Sequence, residues 1–412
     1  NAASTSITIA EGFAVFSNNL NEAPQTWNQT TLAALGGTPP NFSFSRYHLR
    51  RLWYSGIPAT PSVVNATAAG NIATHSGADY LIFTIDEDDG DRVIGLSEPW
   101  RRRIFVFTGP NKGSIHELAG LTASTITRDK LVDGAPCVGH NTIITTPNDI
   151  YWASLYGFHS LRATQKYGDT EEFFLSAPIQ DSFNLINFTR VNQIQGFWHP
   201  LRNMVGWIAP LSGQTTNGIM FVFNYVLNQW STWVFGGFNP STIAVIRDPA
   251  TTQAIPRLYI GDYSGRVHSG DQATRSDDDG TVAYSYQIRT PIHTKFSETS
   301  TEMTEKSMGA ITTFFRPKGN YNATLDIAVD GRTAPGSPFN VSMQGAGAVM
   351  DVFVLDTDRL GGLELTYVET PFLERGRSVE LTYNLNGAGQ DAEIYGHAIR
   401  YTPAERDPLE GS

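Results

Sequence analysis

Short runs of consecutive apolar and aromatic residues, each followed by a glycine turn and a second run, recur along this chain. The clearest lies at Ile104–Leu118, and similar phrases begin at Ile150 and Leu258. Runs without alternation are typical of strands buried on both faces, so each phrase predicts a β-hairpin that must stack on neighbours like itself. The second phrase begins 46 residues after the first, and the third 108 residues after the second. A four-stranded propeller blade needs about 40–50 residues. The spacing therefore predicts an all-β fold, a β-propeller of about five or six blades.

The composition and the pattern of apolar residues change on both sides of this region. Residues 1–40 are rich in Ala, Ser, Thr and Asn and end in Gly36–Pro40, which predicts an extended N-terminal arm, or alternatively short strands, followed by a linker, with one strand supplied by Ile7–Phe16. We assign residues 41–278 to the propeller. Beyond the acidic turn at Ser276–Gly280 the runs alternate, as half-buried antiparallel strands do, so residues 279–405 are predicted to form a C-terminal β-sandwich and 406–412 a tail.

The composition of the chain argues against several classes of protein. The 412 residues are 40% apolar and 17% charged, with a formal net charge of −11. An acidic chain does not favour a surface that holds nucleic acid by neutralising phosphates, although nucleic acid can slide past such a surface without sticking. Cys137 is the one cysteine, so no intrachain disulfide forms and a disulfide-stapled extracellular fold is excluded. We interpret it as a small buried hydrophobic side chain. No run of 18 apolar residues is present, which predicts no membrane-spanning segment.

Three histidines, His116, His159 and His268, occupy nearly the same place in the repeated phrase. Equivalent positions of different blades can converge on the axis of a closed ring, which leaves a shared metal or catalytic site conceivable. No paired histidine spacing or neighbouring carboxylate supports one, so repeated architecture is the favoured interpretation. The acidic segment Asp86–Asp91 invites a calcium hypothesis, but its spacing is wrong for an EF-hand, and a solvated hairpin turn is favoured. The same applies to Asp277–Asp279.

Other candidate motifs are weak. Gly261–Gly265 misses the nucleophile-elbow pattern by one position. The basic run Arg101–Arg103 can contact phosphate, but such runs more often protect a strand edge. Four tryptophans can stack on sugars, yet interblade core is the favoured role: Trp198, Trp207, Trp230 and Trp233. The sequence therefore predicts no catalytic, cofactor-binding or metal residue, and a protein that is not an enzyme. A glycosidase carboxylate pair among the 40 acidic residues stays open.

The order of segments around the repeated phrase resembles the β-propeller nozzle, or tail-tube, proteins of short-tailed bacteriophages. The resemblance covers about residues 45 to 275 and rests on these segments: Asp91–Leu96, Arg103–Phe107, Gly113–Leu118, Gly139–Ile144, Asp149–Leu161, Gly218–Asn224, Gln229–Ser231 and Leu258–Val267. Its motifs are structural and degenerate, and the family offers no catalytic residue to carry over.

The resemblance implies a structural virion protein, assembled in the bacterial cytoplasm into a homo-oligomeric ring with six-fold symmetry. Such a ring would contact the tail adaptor below the portal and the tail fibres. It would lie around or beside the channel through which DNA leaves the capsid, without sequence-specific DNA binding, and would act in genome retention and ejection. The alternative is a carbohydrate-binding or glycoside-cleaving propeller, such as a receptor-binding tail protein.

Overall fold

The structure is a computed structural model, and its contacts divide the chain into two compact units, Asn1–Asp271 and Gln272–Ser412. No helix among the described residues is long and apolar enough to cross a membrane. The predicted boundary at residues 278/279 and the predicted tail at 406–412 lie outside the described residues, and the domain limits stay predictions. The structure describes residues 5–18, 22–86, 90–161, 175–235, 237–247, 255–270, 286–290, 292–294, 305–316, 321–343, 366–387, 390 and 392–403.

The described part of the first unit contains six antiparallel sheets in which chain order and sheet order coincide, as in the blades of a β-propeller. The first three sheets are β1 to β4 (Thr5–Ala10, Phe13–Asn18, Gln25–Trp27, Leu32–Ala34), β5 to β8 (Phe44–His48, Arg51–Ser55, Val63–Ala66, Leu81–Thr84) and β9 to β12 (Arg92–Leu96, Ile104–Gly109, Ser114–Ala119, Thr127–Asp133). The last three are β13 to β15 (Ile144–Thr145, Ile150–Ala153, Phe158–Ser160), β16 to β19 (Gln195–His199, Met204–Ala209, Ile219–Asn224, Gln229–Val234) and β20 to β22 (Pro240–Arg247, Pro256–Asp262, Val267–Ser269).

The predicted hairpins are confirmed: the three repeated phrases form β10–β11, β14–β15 and β21–β22. Helical structure among the described residues is short, with one α-helical turn at Gln180–Phe183 and 3-10 turns at His140–Thr142, Ala177–Ile179 and Phe188–Gln193. The first strands of successive sheets contact one another, β1 with β5, β5 with β9, and β16 with both β13 and β20. These first strands therefore lie nearest the axis of the array.

Successive sheets stack through separate apolar clusters because their central strands are buried on both faces. In β6, Leu52 and Tyr54 point into the cluster shared with the first sheet, whereas Trp53 points into the cluster shared with the third. Five such clusters of described residues join the six sheets in chain order. Their central members are Val15 with Tyr54, Trp53 with Val106, Phe107 with Trp152, Phe158 with Trp207, and Met220 with Ile260.

The extended N-terminal arm is a wrong prediction, since residues 5–34 form the first four-stranded sheet. The buried face of β1 carries Ser6, Thr8 and Ala10, and the Thr8 hydroxyl donates to the Ser45 carbonyl oxygen at 2.7 Å. The apolar Ile7 and Ile9 lie on its exposed face. In an ordinary half-buried strand the apolar side chains are buried and the polar ones exposed, and β1 has the opposite arrangement. Its small polar residues are the ones that pack, and a sequence rich in such residues resembles a linker.

The second unit is a β-sandwich, as predicted. Its strands are β23 (Tyr286–Arg289), β24 (Lys306–Arg316), β25 (Asn322–Val329), β26 (Arg332–Thr333), β27 (Phe339–Ser342), β28 (Thr366–Gly376), β29 (Val379–Leu385) and β30 (Glu393–Pro403). One sheet has the order β23-β29-β25-β26 with β27 also on β25, and the other has the order β28-β24-β30. Apolar side chains from both sheets form one core, and Thr313 and Tyr383 share a buried hydrogen bond of 2.8 Å across it.

Candidate functional site

The three repeated histidines lie in different sheets, and each bonds to a partner near its own hairpin. His159 Nε2 is 2.6 Å from Ser154 Oγ, and His268 Nε2 is 3.1 Å from Asp262 Oδ2. His116 Nε2 is 2.8 Å from Asp86 Oδ2. Within the described residues, no group of three or more His, Cys, Asp or Glu side chains is placed to hold a metal ion. The geometry therefore favours repeated architecture over a shared site.

The cluster around His116 contains the residue types of a catalytic triad without its geometry. Ser114 Oγ lies 2.9 Å from His116 Nε2, the same nitrogen that Asp86 contacts. A nucleophile relay needs the carboxylate on the other ring nitrogen, and His116 Nδ1 is buried without a hydrogen-bond partner. Partial burial alone would raise the pKa of Asp86, but hydrogen bonds from Ser114, Lys130 and His116 lower it below its usual range. In this cluster, hydrogen bonds satisfy the Asp86 carboxylate, and they link neighbouring strands.

The structure describes two acidic residues of the segment Asp86–Asp91, namely Asp86 and Asp91. These two carboxylates do not come together to form a cation site. Asp91 accepts backbone N–H bonds from Asn111, Lys112 and Gly113 at 3.0, 3.0 and 2.7 Å. It thereby holds the turn between β10 and β11. Gly113 has φ +66°, and an added Cβ would approach Pro136 Cα to 2.0 Å, so the turn requires glycine there. Glu87–Asp89 and Asp277–Asp279 lie outside the described residues.

We expect Asp91→Ala to destabilise the first unit by about 3 kcal/mol, because it leaves three backbone donors without their charged acceptor. Asp129→Ala is the matched control, since Asp129 is exposed on β12. The midpoint of urea unfolding, followed by tryptophan fluorescence, measures both variants. Equal midpoints for the two would show that the turn does not depend on Asp91.

Other carboxylates hold turns in the same way. Asp262 Oδ1 accepts from the backbone N–H groups of Ser264 and Arg266, each at 2.8 Å, which accounts for the Gly261–Gly265 segment as a tight turn. In the second unit, Asp330 accepts from the N–H groups of Arg377 and Ser378. The sequence did not show this role for Asp91 and Asp330, because their donors lie far along the chain, in turns that only the fold brings near.

The basic run forms a tight turn rather than a protected strand edge. Trp100 and Arg103 exchange backbone hydrogen bonds of 2.9 and 3.0 Å, so that Arg101 and Arg102 occupy the corner with φ of 51° and 64°. The Arg101 guanidinium lies 4.3 Å from the centre of the Trp100 ring. Arg103 pairs with Glu117 at 2.7 Å. Two exposed cations are therefore presented at one hairpin tip.

The cysteine and the tryptophans are core residues. Cys137 is fully buried, which confirms its interpretation as a small buried hydrophobic side chain, and burial raises the pKa of its thiol to about 12. Trp207 is also fully buried, and its indole donates to the Thr142 carbonyl oxygen at 2.9 Å. The half-buried Trp198, Trp230 and Trp233 pack against the apolar clusters of the fifth sheet.

A cavity of about 380 Å³ lies near the axis, and the sequence did not indicate it. Its lining comes from separate segments associated with the first five sheets, including Phe44, Arg92, Val138, His140 and Ile194. The His140 ring stacks on Phe44 at 4.5 Å, and its Nδ1 accepts from the Leu96 N–H at 3.2 Å. Burial, with the nearby Arg46 charge, lowers the pKa of His140 well below its usual value, so the ring is neutral.

Among the described residues, no carboxylate lines this cavity. A glycosidase needs two facing carboxyl groups, and this cavity does not supply them. One face of its aromatic residue, Phe44, is already occupied by His140. The cavity is therefore a mostly apolar space whose described lining includes one cationic side chain, Arg92.

Comparisons with known proteins give no function. No family model and no curated protein matches the chain. Among solved structures, "YCF48 bound to D1 peptide" matches with a TM-score of 0.43 and 12% identity, covering 68% of this chain and 81% of that one. Regucalcin from Agrobacterium tumefaciens matches with a TM-score of 0.38 and 13% identity over 62% and 80%. An exo-β-1,3-galactanase from Phanerochaete chrysosporium matches with a TM-score of 0.29 and 9% identity over 97% and 96%. Likenesses this distant say nothing about what this chain binds or cleaves.

Proposed function

We propose that this protein is a structural subunit of a short-tailed bacteriophage tail, in which copies form a ring around or beside the DNA exit channel. The observation that carries the proposal is how the repeated hairpins use their polar groups. Asp91 and Asp262 hold turns, and His116 and His159 are buried in local hydrogen bonds. These hydrogen bonds hold hairpins of the third, fourth and sixth sheets in place, which suits a protein that acts through its shape. The order of sequence segments resembling nozzle proteins supports the same role.

The mechanism is geometric and electrostatic. Rigid blades define the outline of the subunit, and the symmetry of the ring defines the diameter of the bore. With a net charge of −11, the chain can present an acidic lining that repels phosphate, so that DNA passes without adhering. A ring whose bore proved mostly basic would contradict this part of the proposal. The tail adaptor and tail fibres are the neighbours that this placement requires.

Immunogold labelling of intact virions tests the proposal. An antibody against this chain should label the tail of virions made by the phage that carries the gene, and virion proteomics should recover the chain in several copies per particle. A glycan array probed with the purified chain addresses the alternative, a carbohydrate-binding or glycoside-cleaving propeller. Absence of label on virions together with glycan binding would replace the structural role with the alternative.

A further inference from the structure

The cavity near the axis has the size and the lining of a small-molecule site, and the proposed function gives it no role. Its volume of about 380 Å³ lies at the small end of the range for ligand pockets, which begins at about 300 Å³. At the rim, Pro58, Pro61 and Arg92 are exposed, whereas Ile57 and Val93 of the walls are buried. A molecule that enters past this rim can therefore bury an apolar body inside.

The apolar walls come from segments of different sheets. Phe44 lies on β5 and Val93 on β9, while Val138 precedes β13 and Ile194 precedes β16. All four side chains are buried. A ligand that fills the cavity would contact several blades at once, so its binding would stabilise their packing near the axis.

Two polar residues of the lining have hydrogen-bonding capacity that the fold does not use. Ser6 and His140 are 6% and 8% exposed, and neither Ser6 Oγ nor His140 Nε2 has a hydrogen-bond partner among the described residues. Because the His140 ring is neutral and its Nδ1 accepts from the Leu96 N–H at 3.2 Å, the ring proton lies on Nε2. Buried polar groups are nearly always bonded, so two unused donors at one cavity indicate a missing acceptor.

The charge of the lining selects the sign of a ligand. Arg92 is its cationic residue, and no carboxylate lines the cavity among the described residues. An anion would therefore be attracted at the rim and would meet no acidic group of the lining, whereas a cation would be repelled. A guanidinium group matches a carboxylate with two parallel hydrogen bonds.

We propose that this cavity binds a small organic carboxylate that has an apolar body and a second oxygen. The Arg92 guanidinium binds the carboxylate at the rim, and the apolar body lies among the buried aliphatic side chains. Ser6 and His140 donate to the second oxygen. The site does not depend on assembly of a tail ring, so this proposal and the proposed function stand or fall separately.

Isothermal titration calorimetry of the full chain tests the ligand class, with 4-hydroxybenzoate and 8-hydroxyoctanoate as ring and chain probes. At least one should bind with a Kd below about 1 mM. Its counterpart without the hydroxyl, benzoate or octanoate, should bind about fivefold more weakly. The corresponding neutral amide, 4-hydroxybenzamide or 8-hydroxyoctanamide, should bind about tenfold more weakly. Absence of binding by both probes to the folded chain would overturn the proposal.

Arg92→Gln tests the carboxylate contact. The variant should bind the carboxylate probe about tenfold more weakly and should no longer distinguish it from its amide. Arg101→Gln is the matched control, because Arg101 is an exposed arginine at a hairpin tip outside the cavity. Equal affinities in Arg92→Gln and in the unmodified chain would contradict the proposed contact.

Ser6→Ala separates a ligand-binding role from a structural one. Ser6 and Ser17 are opposite each other in the register of β1 and β2, and both are buried. Ser17 Oγ donates to the Ser43 carbonyl oxygen at 3.2 Å, so Ser17→Ala should lower the midpoint of urea unfolding and leave the Kd unchanged. Ser6→Ala removes a hydroxyl without a partner. It should leave the midpoint unchanged or raise it, and should reduce the preference for the hydroxylated probe.

A Ser6→Ala variant that loses stability and keeps the full preference for the hydroxylated probe would show that this hydroxyl serves the fold. That result would overturn the assignment of Ser6 as a donor to the ligand. Binding of the probes without tail labelling of virions would leave this site standing and remove the proposed function. Tail labelling without binding of either probe would do the reverse.

Discussion

Trp207→Ala will lower the free energy of unfolding of the first unit by about 4 kcal/mol, the largest loss that we expect from a single side chain. Trp207 is fully buried between the fourth and fifth sheets, and its ring stacks on Phe158 with 4.1 Å between centroids. The substitution opens a cavity in an aromatic cluster that includes Trp230. It also leaves the Thr142 carbonyl oxygen without its indole donor.

Urea unfolding followed by circular dichroism measures this loss. Leu227→Ala is the control, since Leu227 is 63% exposed in the turn between β18 and β19 and should cost little. Similar unfolding midpoints for the two variants would mean that the interblade cluster does not stabilise the stack.

Acidification from pH 7 to pH 4.5 will destabilise the protein, and His159 will account for a large part of the effect. Burial lowers the pKa of His159 to about 4, while the unfolded chain has a histidine pKa near 6.5. Between these values the unfolded state binds the proton and the folded state does not. The stability due to the neutral ring is therefore fully present above pH 6.5 and is lost as the pH falls toward 4. The difference between these two pKa values corresponds to about 3 kcal/mol in the free energy of unfolding.

His159→Gln isolates this contribution, because glutamine does not titrate and can still bond to Ser154. The variant should lose less stability than the unmodified chain between pH 7 and pH 4.5 in parallel urea titrations. Burial also lowers the pKa values of His116 and His140, so acid sensitivity will remain in the variant. An unchanged pH dependence in His159→Gln would show that this ring is already charged, or solvated, in the folded state.

The sequence predicted those strands and buried residues that depend only on the pattern of neighbouring residues in the chain. The Ile104–Phe107 run is buried at every position, so its continuous apolar pattern was sufficient to identify a strand with sheets on both sides. The single-cysteine and core-tryptophan interpretations followed from the same preference for burial. The interpretation of the histidines as repeated architecture stays a prediction, and the sequence did not indicate that Asp86 and Asp262 bond to two of them.

What the sequence did not show depends on contacts between distant segments. The first sheet buries Ser6 and Thr8 rather than Ile7 and Ile9, an inversion that only packing against β5 explains. The axial cavity gathers residues from segments as far apart as Phe44 and Ile194. The turn-holding role of Asp91 depends on a loop some twenty residues later in the chain. None of these leaves a pattern within a short window of sequence.

Electron cryo-microscopy of the virion tail tests the central claim most directly. The account predicts a ring of density on the tail axis, six-fold in symmetry, into which the six-sheet unit fits. A tail whose axial density is fully explained by other proteins, with this chain absent or confined to a peripheral receptor-binding spike, would contradict the account.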